Sequence, residues 1–200
     1  MINQISKILL LFGILTLSAT AQTKPRFVCD FERPQTERDF KEWVSSSVKW
    51  IILFAEEETF SKIQSNQDRL QFVDKFWQRR DPDPDTVENE FRLEYCGRMG
   101  ETAKFQSGIP GWKTDRGHIY VLWGKPDDIQ QGRADFDGMK NILFERWHYK
   151  HIDGLGDGFT VTFIDPTESK EFRFSTEDRE RMLNLFVSGK NGLTITISPI

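Results

Sequence analysis

Apolar residues recur at helical spacing between Thr36 and Phe105, and this periodicity predicts a helical first half of the chain. Residues three or four positions apart share one face of an α-helix, so a repeating apolar stripe marks the side that packs inward. No glycine occurs between Thr36 and Cys96, so the residue that most often ends a helix is absent from this segment. The pattern predicts two helices before a proline-rich stretch: residues 43–63 and residues 67–80.

The stretch Asp81–Asp85 contains two prolines and interrupts the helical half. Each proline lacks an amide hydrogen and moves the preceding residue out of the helical region of backbone conformation. A third helix is predicted with Asp85 or Thr86 as its cap, because Glu88 stands three residues after Asp85, as a capping box requires. Its inward stripe is predicted to contain Val87, Phe91, Tyr95 and Met99. Exposed ion pairs are predicted on its other face: Glu88 with Arg92, and Glu94 with Arg98.

The apolar period changes to two after Gly108, which indicates strands in the second half of the chain. Residues 118–123 alternate and end at a Gly-Lys-Pro-Asp turn, so a strand is predicted there. Residues 128–141 are polar and contain glycine, which favours a mobile loop. Further strands are predicted at residues 143–150, 159–165 and 171–174, followed by a helix at 175–187 and an apolar tail at 193–197 that returns to a sheet edge. Helices followed by strands predict an α+β fold, with helices packed on a small antiparallel sheet of meander topology.

The first residues have the pattern of a secretory signal peptide. Lys7 precedes the apolar run Ile8–Leu17, and small residues lead to Ala21. This pattern predicts cleavage of residues 1–21, which leaves residues 22–200 as a single exported domain, periplasmic or secreted. The apolar run is too short to span a bilayer comfortably, so no membrane span is expected after cleavage. An uncleaved signal anchor is the alternative interpretation.

The charge balance and the motifs argue against several classes of function. The chain carries 27 basic and 31 acidic residues, a formal net charge of −4, so it lacks the basic surface of a nucleic-acid-binding protein. It contains no phosphate-binding glycine loop, no serine-nucleophile elbow and no zinc-binding cysteine or histidine spacing. We therefore predict no cofactor, no metal and no nucleic-acid partner. The sequence carries no signal for the oligomeric state.

The chain has two cysteines, Cys29 and Cys96. Export to an oxidising compartment would allow them to form a disulfide, and this is the favoured prediction. The alternative is that both are small, buried hydrophobic side chains.

The segment Gly111–Asp115 reads Gly-Trp-Lys-Thr-Asp and resembles the signature of the GWxTD domain family of exported bacterial proteins. Residues 76–82 are similar to the family's aromatic-Arg-Arg-Asp-Pro segment, and residues 89–98 are similar to the helix after it. The similarity extends over roughly residues 52–174, although His118 stands where the family usually has arginine. The resemblance implies family membership and a shared fold, but no particular activity.

Polar residues at the positions similar to the family form one candidate site. They lie at a helix end, in the first turn of the next helix and beside the signature segment. Because arginine–carboxylate pairs are directional, the first interpretation is that these residues lock loops onto helices. The second is a partner-binding surface with an aromatic anchor. The polar residues are Arg79, Arg80, Asp81, Asn89, Glu90, Asp115 and Arg116, and the aromatic anchor is Trp112.

The leading functional hypothesis is a non-catalytic interaction module of the cell envelope, whose partner is an envelope protein or a glycan. Its predicted contact residues are Arg79, Arg80, Trp112, Asp115 and Arg116. The alternative is a hydrolase or glycan-binding protein in which Glu90 and Asp115 divide the acid and base roles. Trp112 would then be a stacking platform for the bound ligand.

Overall fold

Six helices and a four-stranded antiparallel sheet form the part of the chain that the computed structural model describes, residues 33–190. The helices are α1 Glu37–Glu42, α2 Phe54–Ser61, α3 Asn66–Gln78, α4 Glu90–Glu101, α5 Asp115–Trp123 and α6 Thr176–Lys190. The strands are β1 Asp128–Phe136, β2 Met139–Ile152, β3 Gly156–Asp165 and β4 Arg173–Phe174. Most helices precede the sheet, so the predicted α+β fold class is confirmed. The predicted signal peptide, Cys29 and the tail at residues 193–197 lie outside the described residues.

The sheet is a meander in the order β1-β2-β3-β4, as predicted, and β2 and β3 form its centre. The predicted strands at 143–150 and 159–165 correspond to β2 and β3. The edge of β3 that extends beyond β4 is covered by the start of α6. The Thr162 carbonyl accepts a hydrogen bond from the Ser175 amide at 3.0 Å, and the Thr162 amide donates to the Asp178 carboxylate at 2.8 Å. These bonds hold α6 against the sheet, immediately after β4.

Residues 118–123 belong to the helix α5, so the strand predicted there is wrong. Thr114 caps this helix, because its hydroxyl accepts a hydrogen bond from the Gly117 amide at 3.0 Å. The helix ends at Gly124, whose φ of 74° favours glycine. Every residue of Ile119–Trp123 is buried. A helix that is buried on every side lacks the polar face that reveals a period of 3.6, and its apolar run therefore resembles a strand.

The polar segment at residues 128–141 contains strand β1 and not the predicted loop. This strand pairs with β2 along its length, with Ile129 opposite Trp147 and Arg133 opposite Leu143. It lies at the sheet edge, and most of its side chains are exposed. Backbone hydrogen bonds hold an edge strand in place without a buried face, so no apolar alternation marks it in the sequence.

The first predicted helix, at residues 43–63, is instead a π-helical turn at Trp43–Ser47 that follows directly on α1, then a break, and then α2. The break is a turn in which the amides of Ile51 and Ile52 both donate to the Val48 carbonyl, at 2.9 and 2.8 Å. Val48 and Ile52 are fully buried in this turn. Apolar spacing alone could not distinguish a buried turn from a continuous helix.

The third predicted helix begins at Glu90, and its cap lies three or four residues later than the sequence indicated. Asn89 caps it, since its side chain accepts from the Arg92 amide at 2.7 Å and donates to the Trp77 carbonyl at 2.8 Å. Val87 is fully exposed ahead of the helix and does not join the apolar stripe. Arg98 pairs with Glu94 as predicted, but the pair is not exposed.

Two apolar clusters form the core, and α5 lies between them. One cluster is built by α1–α4, and the other lies between α5 and the sheet. α5 contributes Val121 to the first cluster and Ile119 to the second, so this helix is held from both sides. Within residues 33–190, no helix combines the length and the apolar character needed to cross a bilayer.

Candidate functional site

The signature segment Gly111–Asp115 is pressed against the turn that follows α4. A Cβ atom on Gly111 would lie 1.8 Å from the Thr102 carbonyl oxygen, and a Cβ on Gly117 would lie 1.9 Å from the Gly111 carbonyl oxygen. Any side chain would collide with backbone at both positions, so only glycine fits. The Thr114 hydroxyl also donates to the Gly111 carbonyl at 2.7 Å while it caps α5. Two of the signature positions, Gly111 and Thr114, therefore build the start of this helix together with Gly117.

Trp112 packs inward from the signature segment and is partly buried. Its carbonyl accepts a hydrogen bond from the Trp50 indole at 3.1 Å. The two indole rings meet edge to face, with centroids 6.3 Å apart. Trp112 therefore contacts Trp50 through both its carbonyl and its ring and helps to position it.

Asp115 joins the start of α5 to strand β4. Its Oδ2 accepts a hydrogen bond from the Phe174 amide at 2.8 Å. Burial raises the pKa of the Asp115 carboxyl above the ordinary value of 3.8, and this effect exceeds the opposing hydrogen bond and the field of Arg179 and Arg173. The side chain is half-buried and lies in the wall of a surface cleft.

This cleft has a volume of about 460 Å³ and lies between the start of α5, strand β4 and helix α6. Its floor is an aromatic stack in which the His118 ring lies between Trp50 and Phe186. The centroid of His118 is 3.6 Å from that of Trp50 and 3.9 Å from that of Phe186. Leu183, which is 57% exposed, adds an apolar wall from α6. The cleft is thus an aromatic-lined surface that the signature segment helps to build.

Charged side chains surround the aromatic floor. Arg173 pairs with Glu171 at 2.6 Å. The side chains of Lys113 and Arg179 form no ion pair with any residue in 33–190, although both line the cleft. The Lys113 ammonium lies over the Trp112 ring, 5.0 Å from its centroid. Two cations that pair with no carboxylate of the described residues therefore lie beside an apolar surface.

Arg79 and Arg80 lie away from this cleft and share one carboxylate. Both bind Glu56 of α2, at 2.8 and 2.6 Å. Arg80 also donates to the Ile51 carbonyl at 3.1 Å, and its guanidinium lies 3.7 Å from the centroid of the Phe76 ring. These arginines fasten α2 to the end of α3. The sequence pattern identified the cations but gave no signal for Glu56 as their partner.

Arg116 is buried and pairs with Glu145 of β2 at 3.2 Å. It also donates to the Lys170 carbonyl at 3.0 Å. Its guanidinium lies between two phenylalanine rings, 5.1 Å from the centroid of Phe105 and 4.3 Å from that of Phe172. Because it is only 8% exposed, Arg116 supports the wall of the cleft from behind and cannot act as a surface contact.

Glu90 does not line the cleft. Its carboxylate accepts a hydrogen bond from the Thr86 hydroxyl at 2.6 Å, and this bond lowers its pKa. Asp115 has a raised pKa and a different set of neighbours, so the predicted polar residues belong to separate groups of contacts. Cys96 is buried in α4. Because Cys29 lies outside the described residues, the disulfide stays a prediction.

The raised pKa of Asp115 leads to a testable titration. We expect its carboxyl carbon, followed by NMR, to titrate above pH 3.8, whereas Asp135 should titrate below it because Lys140 donates to Asp135. The folded state binds the Asp115 proton more tightly than the unfolded state does. Its stabilising contribution is therefore present below pH 3.8 and is lost as the pH rises through the folded pKa. A midpoint for Asp115 at or below that of Asp135 would contradict its placement in the cleft wall.

Fold and site together define an α+β protein whose signature segment builds one side of an aromatic-lined surface cleft. The model of the GWxTD domain matches residues 26–178, more than half of the chain. The chain therefore belongs to the GWxTD domain family, and the resemblance drawn from its sequence is confirmed. No curated protein and no solved structure matches the chain.

Proposed function

We propose that this chain is a non-catalytic interaction module of the bacterial cell envelope, and that its cleft holds part of a partner protein. One observation carries the proposal: the family signature helps to build a cleft with an aromatic floor and, at its rim, two cations that form no ion pair within residues 33–190. Exposed apolar surface beside a polar rim is typical of sites that bind a partner. Export, and with it the envelope location, rests on the signal-like sequence of residues 1–21.

The proposed contact surface differs from the set that the sequence indicated. Asp115 remains in it, but Trp112 and Arg116 act through the residues that they position, Trp50 and Phe172. Arg79 and Arg80 are engaged by Glu56 in the helical layer. We therefore assign the contact to the cleft residues, listed here in chain order: Trp50, Lys113, Asp115, His118, Arg179, Leu183 and Phe186.

The alternative function, a hydrolase or glycan-binding protein, receives less support from the geometry. It requires Glu90 and Asp115 to face one ligand, but only Asp115 lines the cleft. It also requires an open Trp112 ring, whereas this ring packs on Trp50 and under Lys113. The interaction module needs neither condition.

Site-specific photo-crosslinking in the native envelope tests the proposal. A photoreactive phenylalanine derivative at Leu183 is expected to form an adduct with a partner protein, because this side chain is exposed in the cleft wall. The same group at Leu93 is the matched control. Leu93 is 52% exposed, against 57% for Leu183, and also lies on a helix, but it does not line the cleft.

Adducts at position 183 that are absent at position 93 would support the proposed surface. Identical adducts at both positions would indicate nonspecific capture and would contradict it. The absence of any adduct at position 183 would also contradict it, provided that circular dichroism shows a folded protein.

A further inference from the structure

We propose that the cleft recognises the carboxyl terminus of a peptide whose last residue is apolar. This inference rests on the proposed function and specifies the part of the partner that is bound. Three features of the cleft support it: an apolar floor, two cations that pair with no carboxylate of residues 33–190, and a half-buried acceptor oxygen that receives no hydrogen bond from that part of the chain.

The aromatic floor of the cleft favours a ligand with an apolar side chain. Trp50, His118 and Phe186 form a continuous ring stack, and Leu183 stands beside it with more than half of its surface exposed. A flat or branched apolar group placed here would remove aromatic and aliphatic surface from water. With a volume of about 460 Å³, the cleft is at the small end of the range for ligand sites, about 300–1,000 Å³.

The cations at the rim of the cleft favour a ligand with a carboxylate. Arg173 is neutralised by Glu171 at 2.6 Å. Arg179 and Lys113 have no ion pair in the described part of the chain, and both line the cleft. Arg179 interacts electrostatically with Asp115, but the two side chains form no ion pair. Arginine presents several donors in a planar arrangement that matches a carboxylate, so Arg179 is the stronger candidate of the two cations.

The Asp115 carboxylate selects a ligand that also carries an N–H group. Its Oδ2 accepts from the Phe174 amide at 2.8 Å, whereas its Oδ1 receives no hydrogen bond from residues 33–190. A half-buried oxygen of this kind favours a ligand that donates to it. A simple fatty acid has no N–H group to offer, and a peptide has one at each residue.

Only the terminal residue of a peptide carries all three groups on one Cα atom: the carboxylate, the amide N–H and the side chain. An internal acidic residue would need a neighbour to supply the apolar group, and this arrangement would require a larger site. We therefore assign the carboxylate to Arg179 and Lys113, the amide to Asp115 and the side chain to the aromatic stack.

The test uses the full chain and two synthetic peptides, acetyl-Ala-Leu-Phe with a free carboxyl terminus and the same peptide with a carboxamide. Isothermal titration calorimetry is expected to show binding of the free acid, and binding at least about tenfold weaker for the carboxamide. Arg179→Gln should weaken binding of the free acid about tenfold as well. Lys75→Gln is the matched control, because Lys75 is exposed on α3 and does not line the cleft.

Two further measurements test the contribution of the hydrogen bond between the ligand N–H group and Asp115. Asp115→Asn should weaken binding of the free-acid peptide. The oxygen of the new side-chain amide would accept from the Phe174 amide, so its NH2 group would face the N–H group of the ligand, and neither group can accept a hydrogen bond. Decanoate, which lacks an N–H group, should bind weakly and should not respond to this substitution. Circular dichroism confirms that each variant is folded.

Equal binding of the two peptides, or equal effects of Arg179→Gln and Lys75→Gln, would overturn the proposal. If decanoate bound as tightly as the free-acid peptide, the assignment of the ligand as a peptide would be wrong. If neither peptide binds while position 183 still crosslinks to a partner, the ligand class is wrong and the proposed function stands. If the free acid binds but no partner is crosslinked, the ligand class stands and the interaction-module proposal fails.

Discussion

Alanine in place of Gly111 or Gly117 is expected to lower the free energy of unfolding by about 3 kcal/mol or more. The new Cβ atoms would lie 1.8 Å from the Thr102 carbonyl oxygen and 1.9 Å from the Gly111 carbonyl oxygen. Both obstacles are backbone atoms, so a change of side-chain rotamer cannot relieve the overlap. The signature segment would have to move away from the turn after α4 in the Gly111 variant and from α5 in the Gly117 variant, and either movement would disturb the Thr114 cap. Urea denaturation followed by circular dichroism measures the change.

Gly97→Ala is the matched control for these substitutions. Gly97 lies within α4, and no atom stands within 4 Å of the Cβ that alanine would add. Alanine has a higher helix propensity than glycine, so this variant should gain about 0.5–1 kcal/mol. If all three variants lost similar amounts of unfolding free energy, the close approach of Gly111 and Gly117 to backbone carbonyl oxygens would not be what governs stability.

Arg116→Ala is expected to cost about 3 kcal/mol of unfolding free energy, the lower end of the range for breaking a buried ion pair. The substitution leaves the Glu145 carboxylate buried without its cation. Glu145 keeps hydrogen bonds from Gln131 at 2.8 Å and from the Trp147 indole at 3.2 Å, which limits the loss. Adding Glu145→Gln to this variant should recover part of the stability, because it removes the unpaired charge. Thermal or urea unfolding provides the comparison.

Arg133→Ala provides the surface control for Arg116→Ala. Arg133 pairs with Glu168 at 2.9 Å, but both side chains are largely solvent-accessible. Exposed pairs contribute less than about 1 kcal/mol, so this variant should remain close to wild type in stability. If Arg116→Ala and Arg133→Ala lowered the free energy of unfolding by the same amount, the buried pair of Arg116 and Glu145 would not be what supports the cleft wall.

These results would separate the structural role of the signature from binding in the cleft. Gly111, Gly117 and Thr114 shape the start of α5, and changing them is expected to affect the fold. Arg179 and Leu183 lie on exposed positions of α6, so their substitution should alter binding while the fold remains. Part of the signature thus builds the fold, and the proposed contact combines Lys113 and Asp115 of the signature with residues outside it.

The candidate site was predictable in part. The resemblance pointed to Asp115, and this residue does lie in the cleft. The pattern also indicated that Arg80 and Arg116 would pair with carboxylates, but their partners Glu56 and Glu145 come from distant segments. Nothing in the spacing of polar residues connects such pairs, because the contacts arise only when α2 meets α3 and when α5 meets β2.

The sequence by itself determined α3, α6 and the central strands β2 and β3, because caps, apolar periodicity and turn residues act over a few neighbouring positions. Only the tertiary structure decided that α5 is a helix and that β1 is a strand, since complete burial of one and an exposed edge position for the other remove the local pattern. The tertiary structure also determined which residues form the cleft. Trp50, His118 and Phe186 are far apart in the chain. They meet because the signature segment holds Trp50 and starts α5, which carries His118, while the edge of β3 positions α6, which carries Phe186.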